Sequence, residues 1–292
     1  MRVIVKDTHM ASPRYTSLVS PRWLADNLGD PGLVVLDVRF NLPGAPTTGA
    51  EDYAAAHIPG AHFFDVDAIA DTSIDLPHML PSAEQFAAQI GRFGVSNDSF
   101  VVVYDGPGLM SSARAWWMFR VFGFTRVAVL EGGFKTWQTE NRAVTTEVPP
   151  ATSATFVPHF HPELVRGKTD VLAGLETHDQ QIVDARSAGR FHGTAPEPRP
   201  GLRGGHIPGS VNIPFGELSD VITGRVKSDD QIRTLFSSVG IDLARPVIAS
   251  CGSGVTSCAL AFALHLTGKD DVAIYDGSWS EWAMPGDTPV ET

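Results

Sequence analysis

The sequence predicts an α/β protein made of two tandem copies of one domain, each a mainly parallel β-sheet flanked by helices. Three observations carry this. Short apolar runs alternate with helical patterns along the chain, the signature of a parallel sheet with helices on its faces. Four segments recur in the same order at nearly constant separation: LDVR (36–39) and VDAR (183–186), AHIPGA (56–61) and GHIPGS (205–210), VVVYDGPG (101–108) and VIASCGSG (247–254), LEGGFKTW (130–137) and YDGSWSEW (275–282). At 292 residues the chain is also long enough for two hydrophobic cores. A repeat period near half the chain means two domains rather than a solenoid.

The first copy is expected over 18–144. In it LVVLDV (33–38), FVVVY (100–104) and VAVL (127–130) are apolar without alternation, as strands buried on both faces are. SAEQFAAQIGRFG (82–94) and SSARAWWMFRVFG (111–123) read as helices, the first with Ser82 as N-cap, Gln85 at the capping-box position and Gly94 as the stop. A linker is expected over 145–159, TTEVPPATSATFVPH, which is rich in Pro, Thr and Ser and has no helical period. The second copy follows over 160–292. Its strands are QIVDA (181–185), PVIAS (246–250) and VAIY (272–275), and its helices SDDQIRTLFSSVG (228–240) and GVTSCALAFALHLTG (254–268).

Composition narrows the function classes. Lys and Arg total 22 against 33 Asp and Glu, a net charge of −11 that repels nucleic acid and anionic lipid. No apolar run approaches the roughly 18 residues of a membrane span. The start, MRVIVKDTHMASPRYTSLVS, lacks the apolar core of a secretory signal and reads as a leader, with Met10 an alternative start. A cytoplasmic protein is therefore expected. Two cysteines make no disulfide scaffold, and with no CxxC pair and ten scattered histidines no metal is expected.

The chemistry concentrates in ASCGSGVTSC, residues 249–258. VIAS is a strand and the segment after it a helix, so Cys251 sits on the turn at the carboxyl end of a strand, where open α/β sheets bind ligands. Gly252 and Gly254 let the loop curl and aim amides inward, which with the helix dipole favours an anion at its centre. A cysteine there has a depressed pKa, and its thiolate is a nucleophile. The alternative, a buried structural cysteine, leaves the glycine pair unexplained. It does suit Cys258, which lies farther along the helix among apolar residues. The first copy carries Asp105 where the second has Cys251, and a carboxylate cannot do thiolate chemistry. The first copy is therefore the inactive one. A Cys-dependent phosphatase would need an arginine at the end of this loop to chelate phosphate, and Ser257 stands there.

The tandem LDxR, xHIPGx and strand–Cys–loop–helix segments resemble the two-domain rhodanese-type sulfurtransferases, over nearly the whole chain. Within that family the neutral loop CGSGVTS is similar to members that take sulfur from 3-mercaptopyruvate. Those that use thiosulfate tend to carry Arg and Lys after the cysteine, where this chain has Gly252 and Ser253. The resemblance implies a persulfide on Cys251, made from a small-molecule sulfur donor and passed to thiols, thioredoxin-like proteins among them, or to cyanide, with no cofactor. It implies that Arg190 and Arg199, in DARSAGRFHGTAPEPRPG, hold the donor's carboxylate and carbonyl, a task suited to a planar guanidinium fork. Gly252, Gly254, Val255 and Thr256 of the loop would line the donor. Asp67 and His78, in FFDVDAIAD and LPHML, map to residues that join Ser253 in a Ser–His–Asp proton relay. Arg186 and Arg39 occupy the same place in the two copies, as do His206 and His57, so a structural role is expected for all four. Some relatives carry a tyrosine where this chain has Met110, which leaves the wall from the first domain open. Two readings compete with mercaptopyruvate use: thiosulfate sulfurtransferase activity, and a non-enzymatic persulfide carrier that needs the cysteine but neither arginine nor relay.

Overall fold

The structure, a computed structural model, describes residues 17–292 except Pro43 and His178. The expected leader, with Met10, lies outside the described residues. The first sheet comprises β1 (Leu18–Val19), β2 (Leu33–Asp37), β3 (His62–Phe63), β4 (Phe100–Tyr104) and β5 (Val127–Leu130), in the order β1-β5-β4-β2-β3 and parallel throughout. The second comprises β6 (Val165–Arg166), β7 (Gln181–Asp184), β8 (Val211–Asn212), β9 (Val247–Ser250) and β10 (Val272–Tyr275), in the order β6-β10-β9-β7-β8, again parallel. The two orders superpose strand for strand, so the sequence repeat is a repeat of topology. Central strands are apolar without alternation because both faces are covered: Val101, Val102 and Val103 of β4 are all fully buried. The edge strands β1, β3, β6 and β8 are two residues long, too short to leave a period in the sequence.

The first sheet is flanked by α1 (Pro21–Asn27), α2 (Gly49–Ala55), α3 (Ala83–Gly91), α4 (Ser111–Val121) and α5 (Gly133–Thr139). The second has α6 (Lys168–Thr177), α7 (Ala188–Phe191), α8 (Asp229–Ser238), α9 (Ser257–Leu266) and α10 (Ser278–Trp282). Ser82 caps α3 with Gln85 in a full capping box, and Ser228 with Gln231 does the same for α8. Helix α9 starts at Ser257, later than the expected 254, because residues 251–256 stay outside the helix as a loop. Gly254, with φ of +77°, adopts a conformation no helix contains. Residues 146–161 form no helix or strand and lie along the first domain, with Ala154 N–H bonded to Gly91 O and His159 N–H to Phe122 O.

The two halves meet through α4 and α9, which pack on each other. Trp116 of α4 meets Phe262 of α9 edge-on, with ring centroids 5.0 Å apart. One hydrophobic cluster runs through both halves, including Trp117 and Phe119 on one side and Leu260 and Phe262 on the other. Full burial of each such side chain stabilises by roughly 1.5–3 kcal/mol, so the halves are fixed to each other rather than loosely tethered. Polar contacts close one edge of this interface: Ser17 Oγ lies 2.7 Å from His265 Nε2, and Arg120 pairs with Asp270 at 3.3 Å. Among the described residues no helix is long and apolar enough to cross a membrane.

Candidate active site

Cys251 follows β9 directly and is 1% exposed. Its backbone is held from the segment 278–280. Cys251 N–H donates to Ser278 Oγ (3.1 Å), Trp279 N–H donates to Cys251 O (3.0 Å), and Ser280 N–H donates to Gly252 O (2.8 Å). The repeated tail motif thus acts as the loop's support. Burial alone pushes the Cys251 thiol up. The hydroxyls of Ser257 and Thr256 and the N–H groups of Ser253 and Ser257, which favour the thiolate, outweigh that and hold it below the usual thiol range. The Ser257 hydroxyl is buried and has no hydrogen-bond partner of standard geometry elsewhere, which leaves it free to turn to the sulfur. Cys258 differs in every respect. It is fully buried on α9, its S–H donates to Gly254 O at 3.2 Å, and burial raises its pKa. It is a core thiol.

The first copy explains itself by the same geometry. Its loop closes around the Asp105 carboxylate, which is fully buried and accepts from Gly108 N–H (2.5 Å), Met110 N–H (2.7 Å), Ser112 N–H (2.9 Å) and Ser112 Oγ–H (2.8 Å). The cradle there is filled by the protein's own anion. In the second copy the corresponding residue is a sulfur, and the donors converge on it instead.

Gly252 lets Arg190 approach the loop closely, since a Cβ there would lie 2.9 Å from Arg190 Nη2 and displace the guanidinium. Gly254 is required by its backbone: beyond the positive φ, a Cβ would come within 2.7 Å of Asp276 O. Arg190, at the end of the short helix α7, is aimed by Glu197, whose Oε2 accepts from Arg190 Nε (3.1 Å) and Nη2 (2.5 Å). The other oxygen of Glu197 accepts from Arg186 at 2.9 Å. Arg199 is half-buried; burial and the neighbouring Arg190 charge lower its pKa, against the pull of Cys251, Asp67 and Glu197. Two guanidinium groups therefore lie beside the cysteine loop, Arg190 with its charge met by Glu197 and Arg199 facing the cleft.

The first domain supplies the other wall. Ser253 Oγ lies 2.9 Å from His78 Nδ1, and His78 Nε2 lies 2.8 Å from Asp67 Oδ1. Asp67 accepts only, because its bond to His78 holds its carboxyl below the usual range. A proton on Nε2 towards Asp67 leaves Nδ1 to accept from the Ser253 hydroxyl. The His78 side chain is 3% exposed while that of Asp67 is 66% exposed, so the chain runs from solvent to the loop. Phe40 meets the imidazole edge-on at 5.1 Å. A cleft of about 520 Å³ opens between the domains, lined by Asp67, His78 and Arg199 together with Leu202, Ser280 and Met284. It has room for a small organic acid.

The sequence-nominated residues thus gather at one place: Cys251, Gly252, Ser253, Gly254 and Thr256 in the loop, Arg190 and Arg199 beside it, Asp67 and His78 opposite. Val255 departs in part, since its side chain is 3% exposed and belongs to the core, leaving only its backbone to face a ligand. Met110 is half-buried, bonds Asp105 through its N–H, and is not among the described residues lining the cleft. The paired residues are structural in both copies. Arg39 binds Asp37 and Ala56 O, as Arg186 binds Asp184 and Gly205 O; His57 stacks on Tyr53, as His206 stacks on Phe191. Sequence reading missed Glu197, Ser257, Arg114 and Asp276. The signals were there: Glu197 lies between the two arginines, and Arg114 is a lone charge in the apolar run SSARAWW. Among the described residues, no group of three or more His, Cys, Asp or Glu is placed to hold a metal.

The comparisons agree with this architecture. The rhodanese-like domain matches residues 20–140 and 168–285. The chain is 44% identical to 3-mercaptopyruvate sulfurtransferase of Rattus norvegicus, over 94% of this chain and 95% of that protein. It is also 44% identical to thiosulfate sulfurtransferase of Cricetulus griseus, over 92% of each. The crystal structure of SseA from Escherichia coli, described as a 3-mercaptopyruvate sulfotransferase with the rhodanese fold, aligns with a TM-score of 0.82 and 40% identity, covering 90% of this chain and 99% of that one. With two matched domains and near-complete coverage, the chain belongs to the rhodanese family.

Proposed function

We propose that the protein is a 3-mercaptopyruvate sulfurtransferase, using Cys251 as the nucleophile. The Cys251 thiolate attacks the sulfur of mercaptopyruvate, a new S–S bond forms, and the C–S bond breaks with its electron pair moving to carbon. The leaving group is the pyruvate enolate, which gains the proton that the donor's thiol loses. Arg190 and Arg199 bind the carboxylate and carbonyl, and the same positive charge stabilises the enolate. The persulfide then gives its outer sulfur to an acceptor thiolate or to cyanide, and the Cys251 thiolate returns. The loop donors that lower the thiol's pKa serve the persulfide anion equally.

The observation that carries the choice of donor is the Ser253–His78–Asp67 chain. Carbon–sulfur cleavage in mercaptopyruvate leaves a carbanion that must be protonated, and a hydroxyl–imidazole–carboxylate chain beside the sulfur moves a proton. Thiosulfate departs as sulfite and needs no proton. The loop's lack of a basic side chain at Gly252 and Ser253 points the same way, since a dianion calls for more charge. The relatives of both kinds at equal identity make the second reading, thiosulfate sulfurtransferase activity, a specific alternative. Thioredoxin-like dithiols and small thiols are the acceptors that suit a persulfide beside an open cleft, and a cytoplasmic setting keeps Cys251 reduced.

Steady-state rates with mercaptopyruvate and with thiosulfate, under one acceptor, test this. The expected result is faster turnover of mercaptopyruvate, lost in Cys251→Ser, with KM raised in Arg190→Ala and Arg199→Ala. Brisk use of thiosulfate with no pyruvate formed from mercaptopyruvate reverses the donor. Indifference of the arginine variants favours a carrier loaded by another protein.

A further inference from the structure

One buried guanidinium joins the two halves of the site. Arg114 of α4 is 1% exposed. Its Nη1 donates to Gly254 O (3.1 Å) and to Asp276 Oδ1 (2.6 Å), and its Nη2 donates to His78 O (2.5 Å). Asp276, just past β10 and 4% exposed, uses its second oxygen to accept from Leu80 N–H at 2.7 Å. The Arg114–Asp276 pair thus holds His78 by its carbonyl, Leu80 by its amide, and the cysteine loop at the residue after Ser253. The guanidinium also lies over the Trp117 ring at 4.5 Å, which fixes its plane.

Two features make this more than packing. His78 has φ of +60°, a left-handed conformation unfavourable for a residue with a Cβ, and such geometry persists only where surrounding bonds impose it. Arg114 holds that residue at its carbonyl, and Asp276 holds the chain two residues further on, at the Leu80 amide. Further, a buried ion pair is a poor source of net stability compared with apolar packing, so a pair that spans four elements does more for geometry than for folding. The relay distance of 2.9 Å between Ser253 and His78 joins two domains, and any slip between them breaks it.

We propose that Arg114 and Asp276 are positioning residues that set the register of His78 against Ser253 across the domain boundary. This rests on the reading of Ser253–His78–Asp67 as the proton relay. Neither residue touches the donor; both act through the backbone of the relay segment.

The test is pyruvate release from 3-mercaptopyruvate, with kcat, KM and the pH profile of kcat, in Arg114→Met, Asp276→Asn, His78→Ala and the Arg114→Met/His78→Ala double variant. Near-UV circular dichroism and thermal melting establish that each is folded. Arg114→Met is expected to lower kcat by about 100-fold, as for a misplacement of about 1 Å, with KM little changed. It should lose the same limb of the pH profile that His78→Ala loses. The double variant should be no slower than His78→Ala alone. Asp276→Asn keeps the volume but its amide accepts on one side only, so it should show the same pattern more mildly. If Arg114→Met does not fold, Asp276→Asn decides, and a wild-type kcat and pH profile there overturns the proposal. A slow His78→Ala with a normal Arg114→Met, or with fully multiplicative losses in the double variant, overturns it while sparing the relay. A wild-type kcat in His78→Ala overturns the relay itself, and the role of Arg114 with it.

Discussion

Removing the Ser257 hydroxyl should raise the pKa of Cys251. The perturbation is Ser257→Ala, at a fully buried position on the first turn of α9. Four groups hold the thiolate against burial: the Ser257 and Thr256 hydroxyls and two backbone N–H groups, of Ser253 and Ser257. A hydrogen bond to a charged group contributes about 1.5–3 kcal/mol. At 1.36 kcal/mol per unit that is about one to two pKa units, the lower figure applying because the remaining donors tighten on the sulfur. The sign follows from which form is bonded. The thiolate accepts these bonds, so losing one disfavours it, the pKa rises, and the thiolate population below the pKa falls about tenfold per unit. The assay is the rate of iodoacetamide modification against pH, with the labelled cysteine located by peptide mass. The expected result is a midpoint about one unit higher, with label on Cys251 alone. An unchanged or lower midpoint refutes the reasoning, as does preferential label on Cys258.

Three further outcomes are expected. Gly252→Ala places a Cβ 2.9 Å from Arg190 Nη2, the mobile end of a side chain, so the guanidinium rather than the backbone gives way; KM for mercaptopyruvate should rise about tenfold with an unchanged melting temperature, and an unchanged KM counts against Arg190 in donor binding. Asp105→Ala strips the acceptor from three N–H groups, two of them buried, and from a buried hydroxyl; urea unfolding should show a loss of about 3 kcal/mol, since each orphaned buried donor costs about 1–3 kcal/mol and the loop relaxes in part, while a loss under 1 kcal/mol would mean that water replaces the carboxylate freely. Phe262→Ala removes an aromatic from the α4–α9 interface; a loss of about 3–5 kcal/mol is expected, and a much smaller one would show that the domain contact contributes little.

The sequence revealed the parts of the fold that recur or have a period. The central strands and the helices α3, α4, α8 and α9 were readable because buried parallel strands lack alternation, α3 and α8 carry capping boxes, and α4 and α9 are buried runs, too long for strands, that end at Gly123 and Gly268. The two-residue edge strands were not, since pairing with a neighbour defines them and two residues carry no pattern. Cys251 stood out because the repeat sets it against Asp105, and the structure supplies the reason: a carboxylate completes the loop that a thiolate leaves open to chemistry. The resemblance, rather than the residues themselves, nominated Asp67 and His78, because loop residues that meet across a domain boundary have no spacing to detect. Glu197, Arg114 and Asp276 were invisible as a group for the same reason. Each looks like an ordinary charge until the fold brings it against a guanidinium, a carboxylate or a strained backbone.

The most direct test of sulfur transfer through Cys251 is to mix the protein with 3-mercaptopyruvate in the absence of any acceptor and weigh the intact chain and its peptides. The account predicts a gain of one sulfur atom on the peptide carrying Cys251, with one pyruvate released per chain, and reversal on adding cyanide or a dithiol. Continued pyruvate release with Cys251 unmodified, or added sulfur residing on Cys258, would contradict it.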